Sequence, residues 1–133
     1  MPDQSGLVSQ RSQYDVGETE RRLRAAVDQA GLTLFAGIDH GANAQDAGLT
    51  LRPTRLLIFG NGRGGTPLMQ LRQTAGLDLP LKALVWQDET GAVWVSYNDL
   101  RWLADRHGLG AAAEAPIAAL SAGLAKLVQM ATG

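Results

Sequence analysis

The stretch PTRLLIFGNGRGGTP, residues 53–67, predicts a buried strand that passes through a glycine-rich turn into a helix. The run of four apolar residues in its middle is typical of a strand covered on both faces. Four of the chain's 16 glycines lie within 60–65 and follow that run directly. Thr66 suits an N-cap and Pro67 suits the first helical position, so we expect the helix to begin there and to end at Gly76.

Upstream of this stretch, the hydrophobic period changes between helical and extended. Apolar and polar residues alternate over 32–39, which predicts a strand whose even-numbered side chains share one face. Before it, apolar residues recur at helical spacing from the turn at 15–19 up to Gly31, which predicts an amphipathic helix. Residues 7–14 favour a short edge strand, and residues 42–47 favour a short helix.

Downstream, the pattern predicts a β-hairpin, a short helix and an alanine-rich tail. Strands at 81–87 and 92–97 flank a turn, which would place Trp86 and Trp94 across the ladder from each other. A helix is expected over 100–107, capped by Asn98-Asp99. An apolar stripe after Pro116 predicts a last helix with few charges, which is typical of a helix packed on something.

This order of elements indicates the α+β class. We expect a single small domain with a mixed or antiparallel sheet of about five strands and helices packed on it. We place the α+β domain at 1–109 and a C-terminal alanine-rich helical extension at 110–133. A chain of 133 residues has the usual length of one domain.

Composition excludes several classes of function. The chain has no cysteine, which rules out disulfides, thiolate metal sites and cysteine nucleophiles. Its 12 basic and 13 acidic residues give a net charge of −1, without the basic excess of a nucleic-acid-binding protein. Only two histidines are present, at His40 and His107, so we expect no metal site and no cofactor. Neither a spanning apolar run nor a signal segment is evident, so we expect a cytoplasmic protein without a membrane partner.

Several blocks occur in an order and at a spacing that define a known family. They are LFAGIDH at 34–40 with Asn43-Ala44 after it, PTRLLIFGN at 53–61, GTPLM at 65–69, LDLPLK at 77–82 and VSYND at 95–99. Together they resemble the domain of unknown function family 302 over roughly Ser9 to Leu109. The resemblance implies a small α+β domain and no established activity. Gly62 stands where the family pattern leads us to expect proline, and the tail after Leu109 lies outside the resemblance.

The glycine-rich segment is the first candidate site. Backbone amides crowded by Gly64 and Gly65 at a helix start can bind a phosphate or carboxylate, aided by Asn61, Arg63 and Thr66. No Lys-Ser/Thr pair follows the last glycine, so the segment is not a P-loop. The alternative is a tight strand-to-helix turn that binds nothing.

Two further groups of polar residues follow strand ends. Asp39 and His40 suit acid–base chemistry, whereas the structural alternative has Asp39 capping the short helix and His40 bonded to backbone. Lys82 and Tyr97 could bind an anion or move a proton, whereas the structural alternative makes Tyr97 a half-buried strand residue. The three tryptophans lack interleaved basic residues and therefore favour core or interface over base stacking. No serine lies in a nucleophile motif.

Three hypotheses of function follow. The first is a domain that binds a small anionic ligand through His40, Lys82 and the Asn61–Thr66 segment. The second is an enzyme that uses His40 with Asp39 or Tyr97 for acid–base catalysis. The third is a homodimeric interaction module that pairs through the C-terminal helix.

Overall fold

Five strands and five α-helices lie along residues 5–133, the part of the chain that the computed structural model describes. The strands are β1 (Leu7–Arg11), β2 (Thr33–Asp39), β3 (Thr54–Gly60), β4 (Leu81–Gln87) and β5 (Val93–Asn98). The helices are α1 (Val16–Gln29), α2 (His40–Asp46), α3 (Gly62–Leu71), α4 (Leu100–His107) and α5 (Glu114–Thr132). Short 3₁₀ helices span Gln73–Leu77 and Ala111–Ala113.

The five strands form one sheet in the order β1-β5-β4-β3-β2, and every neighbouring pair is antiparallel. The first strand therefore pairs with the last, and β2 and β1 are the edges. This arrangement confirms the α+β class and the five-stranded sheet predicted from the element order.

Helices α1 and α5 pack against each other and on one face of the sheet. Alternate residues of the central strands point into this layer and are fully buried, as Phe59, Val85 and Val95 show. α5 adds buried side chains along its length (Ile117, Leu124, Leu127 and Val128). The alanine-rich tail is therefore part of the same hydrophobic core as the strands.

Helix α3 begins at Gly62, four residues before the expected cap at Thr66, so that prediction is wrong. The Asn61 side chain caps the helix by accepting a hydrogen bond from the Gly64 amide at 2.8 Å. Pro67 consequently lies inside the helix, where it cannot donate to the preceding turn. The glycine-rich segment is the first turn of α3, and the helix ends at Leu71 without reaching Gly76.

A β-bulge at Phe35 corrects the predicted alternation of β2. Leu34 lies opposite Phe59, whereas Ala36 lies opposite Ile58, so Phe35 has no partner in β3. Leu34 therefore faces the helices, and Ala36 and Ile38 face the other side of the sheet. Uninterrupted alternation would have put all of the even-numbered residues on one face.

The predicted hairpin is confirmed, with Trp86 directly opposite Trp94 and their rings stacked 6.4 Å apart. Asp88 organises the turn because its carboxylate accepts hydrogen bonds from Thr90, Ala92 and the indole of Trp94. These bonds, led by that from the Thr90 side chain, hold the pKa of Asp88 well below its ordinary value.

Candidate functional site

A groove of about 420 Å³ opens between α1, α5 and the start of α3. Its walls are mostly apolar, with Leu79 and Leu81 around the start of β4 on one side and leucines from α5 on the other. Ala119 and Gly123 lie one helical turn apart on α5, and their small size leaves the space between the helices. Lys126 is the single charged side chain among the described residues that line the groove.

The glycine-rich segment forms one end of this groove. Asn61, Gly64 and Gly65 line it, so three residues of the predicted anion site share a cavity. Gly64 permits a close approach between α3 and α5, since a Cβ there would lie 3.0 Å from Leu120 Cδ2. The Gly64 amide already donates to the Asn61 side chain, and the Gly65 amide donates to the Asn61 backbone carbonyl at 3.3 Å. The Gly62 and Arg63 amides lie in the first turn of α3, so no carbonyl of a preceding helical turn is available to accept from them.

Arg63 and Thr66 belong to the same helix but are exposed and do not line the groove. Their side chains therefore lie at the surface beside the glycine-rich turn. The structure divides the predicted anion-binding segment into residues that face the groove and residues that face solvent.

Asp39 and His40 lie at the opposite end of the sheet. Asp39 is opposite Arg55 at the start of β3, whereas the groove lies beyond Gly60 at its end. Arg55 and Gly60 are five residue steps apart along β3, which corresponds to roughly 17 Å. Asp39 caps α2 by accepting from the Ala42 amide at 2.9 Å, as its structural alternative predicts.

Lys82 turns away from the groove. Its Nζ donates to the backbone carbonyls of Pro80 at 3.0 Å and Asp78 at 3.2 Å. Burial lowers the pKa of Lys82, and the nearby Asp78 carboxylate opposes that shift. Leu81, the preceding residue of β4, lines the groove on the helix side, whereas Lys82 lies opposite Ile58 on the other side of the sheet.

Tyr97 lines a separate cavity of about 190 Å³ with Asp99 and Ser121. Burial raises the pKa of Tyr97, and Asp99 adds to the shift. Two strands separate Tyr97 from the strand that leads to His40. The acid–base hypothesis needs these side chains in one cavity, and the described residues do not place them together.

Sequence reasoning missed a polar cluster that joins the end of α4 to the 3₁₀ helix before β4. His107 Nε2 lies 2.5 Å from Asp78 Oδ2, and His107 Nδ1 lies 3.0 Å from Thr74 Oγ1. Arg106 also donates to both oxygens of Asp78. No spacing motif links residues this far apart in the chain. None of the four lines the groove, so the cluster ties two elements together outside the candidate site.

Residues 5–133 contain no group of three His, Asp or Glu side chains arranged to hold a metal ion. Within the same residues, one helical stretch, Ala111–Thr132, has the length and apolar composition of a membrane span. It includes α5, which packs on α1 in this structure.

The chain is similar to curated proteins from Brucella that are about twice its length. It is 46% identical over 129 residues to a protein of Brucella suis biovar 1 (strain 1330) named "Fluoride-specific ion channel FluC 1". The match covers 97% of this chain and 51% of that protein. A protein of the same name from Brucella abortus biovar 1 (strain 9-941) is also 46% identical, with 48% of its length covered. The chain thus spans about half the length of the curated relatives it matches.

A solved structure has the same fold. The crystal structure of an uncharacterized conserved DUF302 protein from Bacillus stearothermophilus superposes with a TM-score of 0.85 at 20% sequence identity. The superposition covers 95% of this chain and 98% of that chain. It therefore takes in most of the tail as well as the sheet.

The family model described as "Domain of unknown function DUF302" matches residues 8–127. The matched segment runs from β1 into the last turns of α5, beyond the boundary that we expected at residue 109. The expected resemblance is confirmed, and the chain belongs to the DUF302 family.

Proposed function

We propose that this chain is a small-molecule-binding domain whose site is the groove between α1, α3 and α5. Its ligand is a small, mostly apolar molecule that ends in an anionic group. The observation that carries this proposal is the groove itself, an apolar depression of about 420 Å³ with few polar side chains. Sites for small organic ligands have this volume and this mixture of a hydrophobic wall with a few orienting polar groups.

The polar groups of the groove favour an anionic end. Lys126 supplies a positive charge on α5, and the start of α3 adds the partial positive charge of a helix N-terminus. Asn61 stands at that start, and its side chain is already fixed by capping. Apart from Gln29, the remaining side chains of the lining are apolar, so a bare inorganic anion would leave most of the groove surface without contacts.

The channel activity in the name of the Brucella relatives is not part of this proposal. About half of each relative lies outside the match. The helix of spanning length in this chain buries leucines and Val128 in the domain core. Ligand binding in the groove accounts for the described residues better than ion conduction does.

Titration followed by NMR amide shifts tests the proposal, with octanoate, its neutral analogue octanol, and inorganic phosphate as probes. We expect octanoate to shift amides near Gly64 and Gly123, octanol to shift them less, and phosphate to shift them least. Substituting Lys126→Gln should reduce the preference for octanoate over octanol. If all three probes leave these amides unmoved, or phosphate alone moves them, the proposal is wrong.

A blocking variant with a matched control sharpens the test. Gly123 lines the groove, and a Cβ added there meets nothing within 4 Å, so the side chain of Gly123→Leu should project into the groove and occupy part of it. Ala122 is exposed on the same helix and does not line the groove, so Ala122→Leu is the control. Octanoate shifts should disappear in the first variant and persist in the second.

A further inference from the structure

The sheet surface opposite α1 and α5, which we call the open face, is apolar where solvent-facing sheets are normally polar. Its centre consists of five half-buried large side chains (Leu56, Ile58, Leu84, Trp86 and Trp94). Register places them on one side, since Leu56 lies opposite Leu84 and Trp86 opposite Trp94. An antiparallel sheet with one solvated face alternates apolar and polar residues, whereas β3 and β4 are apolar on both faces. Contiguous apolar surface that stays partly accessible in this way marks an interaction site.

Most polar atoms on and around the open face have partners within the chain, and at its edge the Arg11 guanidinium lies over the Trp94 ring, 5.9 Å from the centroid. Ser96 Oγ accepts from the indole of Trp86 at 2.8 Å and shares a hydrogen bond with Ser9 Oγ at 2.7 Å. The indole of Trp94 donates to Asp88 at 2.9 Å. Lys82 directs its Nζ to backbone carbonyls at the end of the sheet. Covering the face would therefore remove water without leaving these groups unpaired, which is the main cost of burying polar atoms.

We propose that the open face is the interface of a homodimer in which two copies of this chain stack sheet on sheet. Twisted sheets of the same hand fit face to face about 10 Å apart, so a second copy offers a complementary shape. Five strands about 4.8 Å apart and about six residues long present roughly 24 Å by 20 Å. Two such faces bury on the order of 1,000 Å² in total, which reaches the lower bound of specific interfaces.

The interface lies on the side of the sheet away from the ligand groove, so the two proposals are independent. It also differs from the dimer expected through the C-terminal helix. α5 uses its apolar stripe against α1 and the sheet, and that surface is occupied within one chain. The open face has no such cover in the described residues, where its central side chains stay half-buried.

Multi-angle light scattering on the whole chain tests the dimer. We expect a mass twice the 14.1 kDa of one chain at high micromolar concentration. Leu84→Glu places a charge at the centre of the open face and should reduce the mass to that of one chain. Leu77→Glu is the matched control, because Leu77 is 74% exposed and lies in the 3₁₀ helix before β4. The control should leave the mass unchanged.

Circular dichroism establishes that each variant is folded. Should Leu84→Glu fail to fold, Ile58→Thr keeps a β-branched residue on the strand and removes apolar contact at the same face. The proposal is overturned by a wild-type chain that is monomeric at high micromolar concentration. It is equally overturned by a dimer that survives a folded open-face variant.

Discussion

His107 Nε2 donates to Asp78 Oδ2 across 2.5 Å, and this pair holds the end of α4 against the 3₁₀ helix before β4. The His107 side chain is only 6% exposed, so its ring nitrogens depend on partners within the chain. Asp78→Ala removes the acceptor for both His107 and Arg106. We expect a loss of about 1–3 kcal/mol in the free energy of unfolding, the cost of leaving a buried polar group unpaired.

Urea denaturation measures this loss, and Thr74→Val is the comparison. Thr74 is exposed and contacts the other ring nitrogen, so its hydroxyl can be replaced by water at smaller cost. Equal losses of unfolding free energy in the two variants would contradict the larger contribution expected for Asp78.

Replacing Asn61 separates its capping role from its role at the groove. Asn61→Ala removes the acceptor for the Gly64 amide and should lower the free energy of unfolding by about 1 kcal/mol. Asn61→Asp keeps the cap and suits the helix N-terminus, so stability should stay within about 1 kcal/mol of wild type. The added negative charge should nevertheless weaken octanoate binding and spare octanol. Calorimetric titration of both variants checks this, and equal octanoate affinity in wild type and Asn61→Asp would contradict it.

Two glycine substitutions should change stability in opposite directions. Gly123 lies inside α5 with open space around its Cβ position, so Gly123→Ala should raise the free energy of unfolding by about 1 kcal/mol. Gly108 ends α4 with φ of 61°, in the left-handed region, so Gly108→Ala should lower it by about 1–2 kcal/mol. Thermal melts of both variants provide the measurement. A shift of the same sign in both would show that neighbouring contacts outweigh backbone preference.

Glu18 should make stability depend on acid pH. Hydrogen bonds from Arg21, and then Arg22, lower the pKa of Glu18 to about 2 from an ordinary 4.5. Between those values the unfolded chain binds more protons at this site, so the contribution of Glu18 is complete above pH 4.5 and disappears as pH falls toward 2. Denaturation of wild type and Glu18→Gln over that range should give converging stabilities. A difference in unfolding free energy that does not change with pH would show that groups other than Glu18 cause the pH dependence.

Removal of residues 110–133 should abolish the fold. The deleted helix supplies Ile117, Leu124 and Val128 to the same core as α1, so their loss uncovers the inner face of α1 and the sheet. Far-ultraviolet circular dichroism of the shortened chain should show loss of helix and strand signal. A folded, cooperative domain ending at Leu109 would instead support the boundary that we expected from composition.

Local signals predicted the sheet well because strand periodicity depends on neighbouring residues. The hairpin with Trp86 opposite Trp94 is an example, since turn length alone determines that pairing. The start of α3 was predicted wrongly because both Asn61 and Thr66 are good caps, and packing of Gly64 against α5 favours the earlier one. No feature of the local sequence distinguishes these two possible caps.

The candidate site was only partly predictable for a related reason. Asn61, Gly64 and Gly65 were identified from the glycine cluster, but the opposite wall comes from α5, more than 50 residues later in the chain. The pairing of α1 with α5 creates the groove, and the residue spacing within either helix does not predict that pairing. His40 was grouped with the glycine-rich turn because both follow strands, whereas antiparallel pairing sends those strand ends in opposite directions.

The bulge at Phe35 has a consequence for how copies of this chain can associate. β2 is an edge strand, and a regular edge strand presents a continuous row of backbone groups to any other strand. The extra residue interrupts that row, and edge-to-edge addition of further copies would produce open-ended polymers. The fold thereby disfavours growth along the sheet, whereas the proposed stacking through the open face would close after two copies.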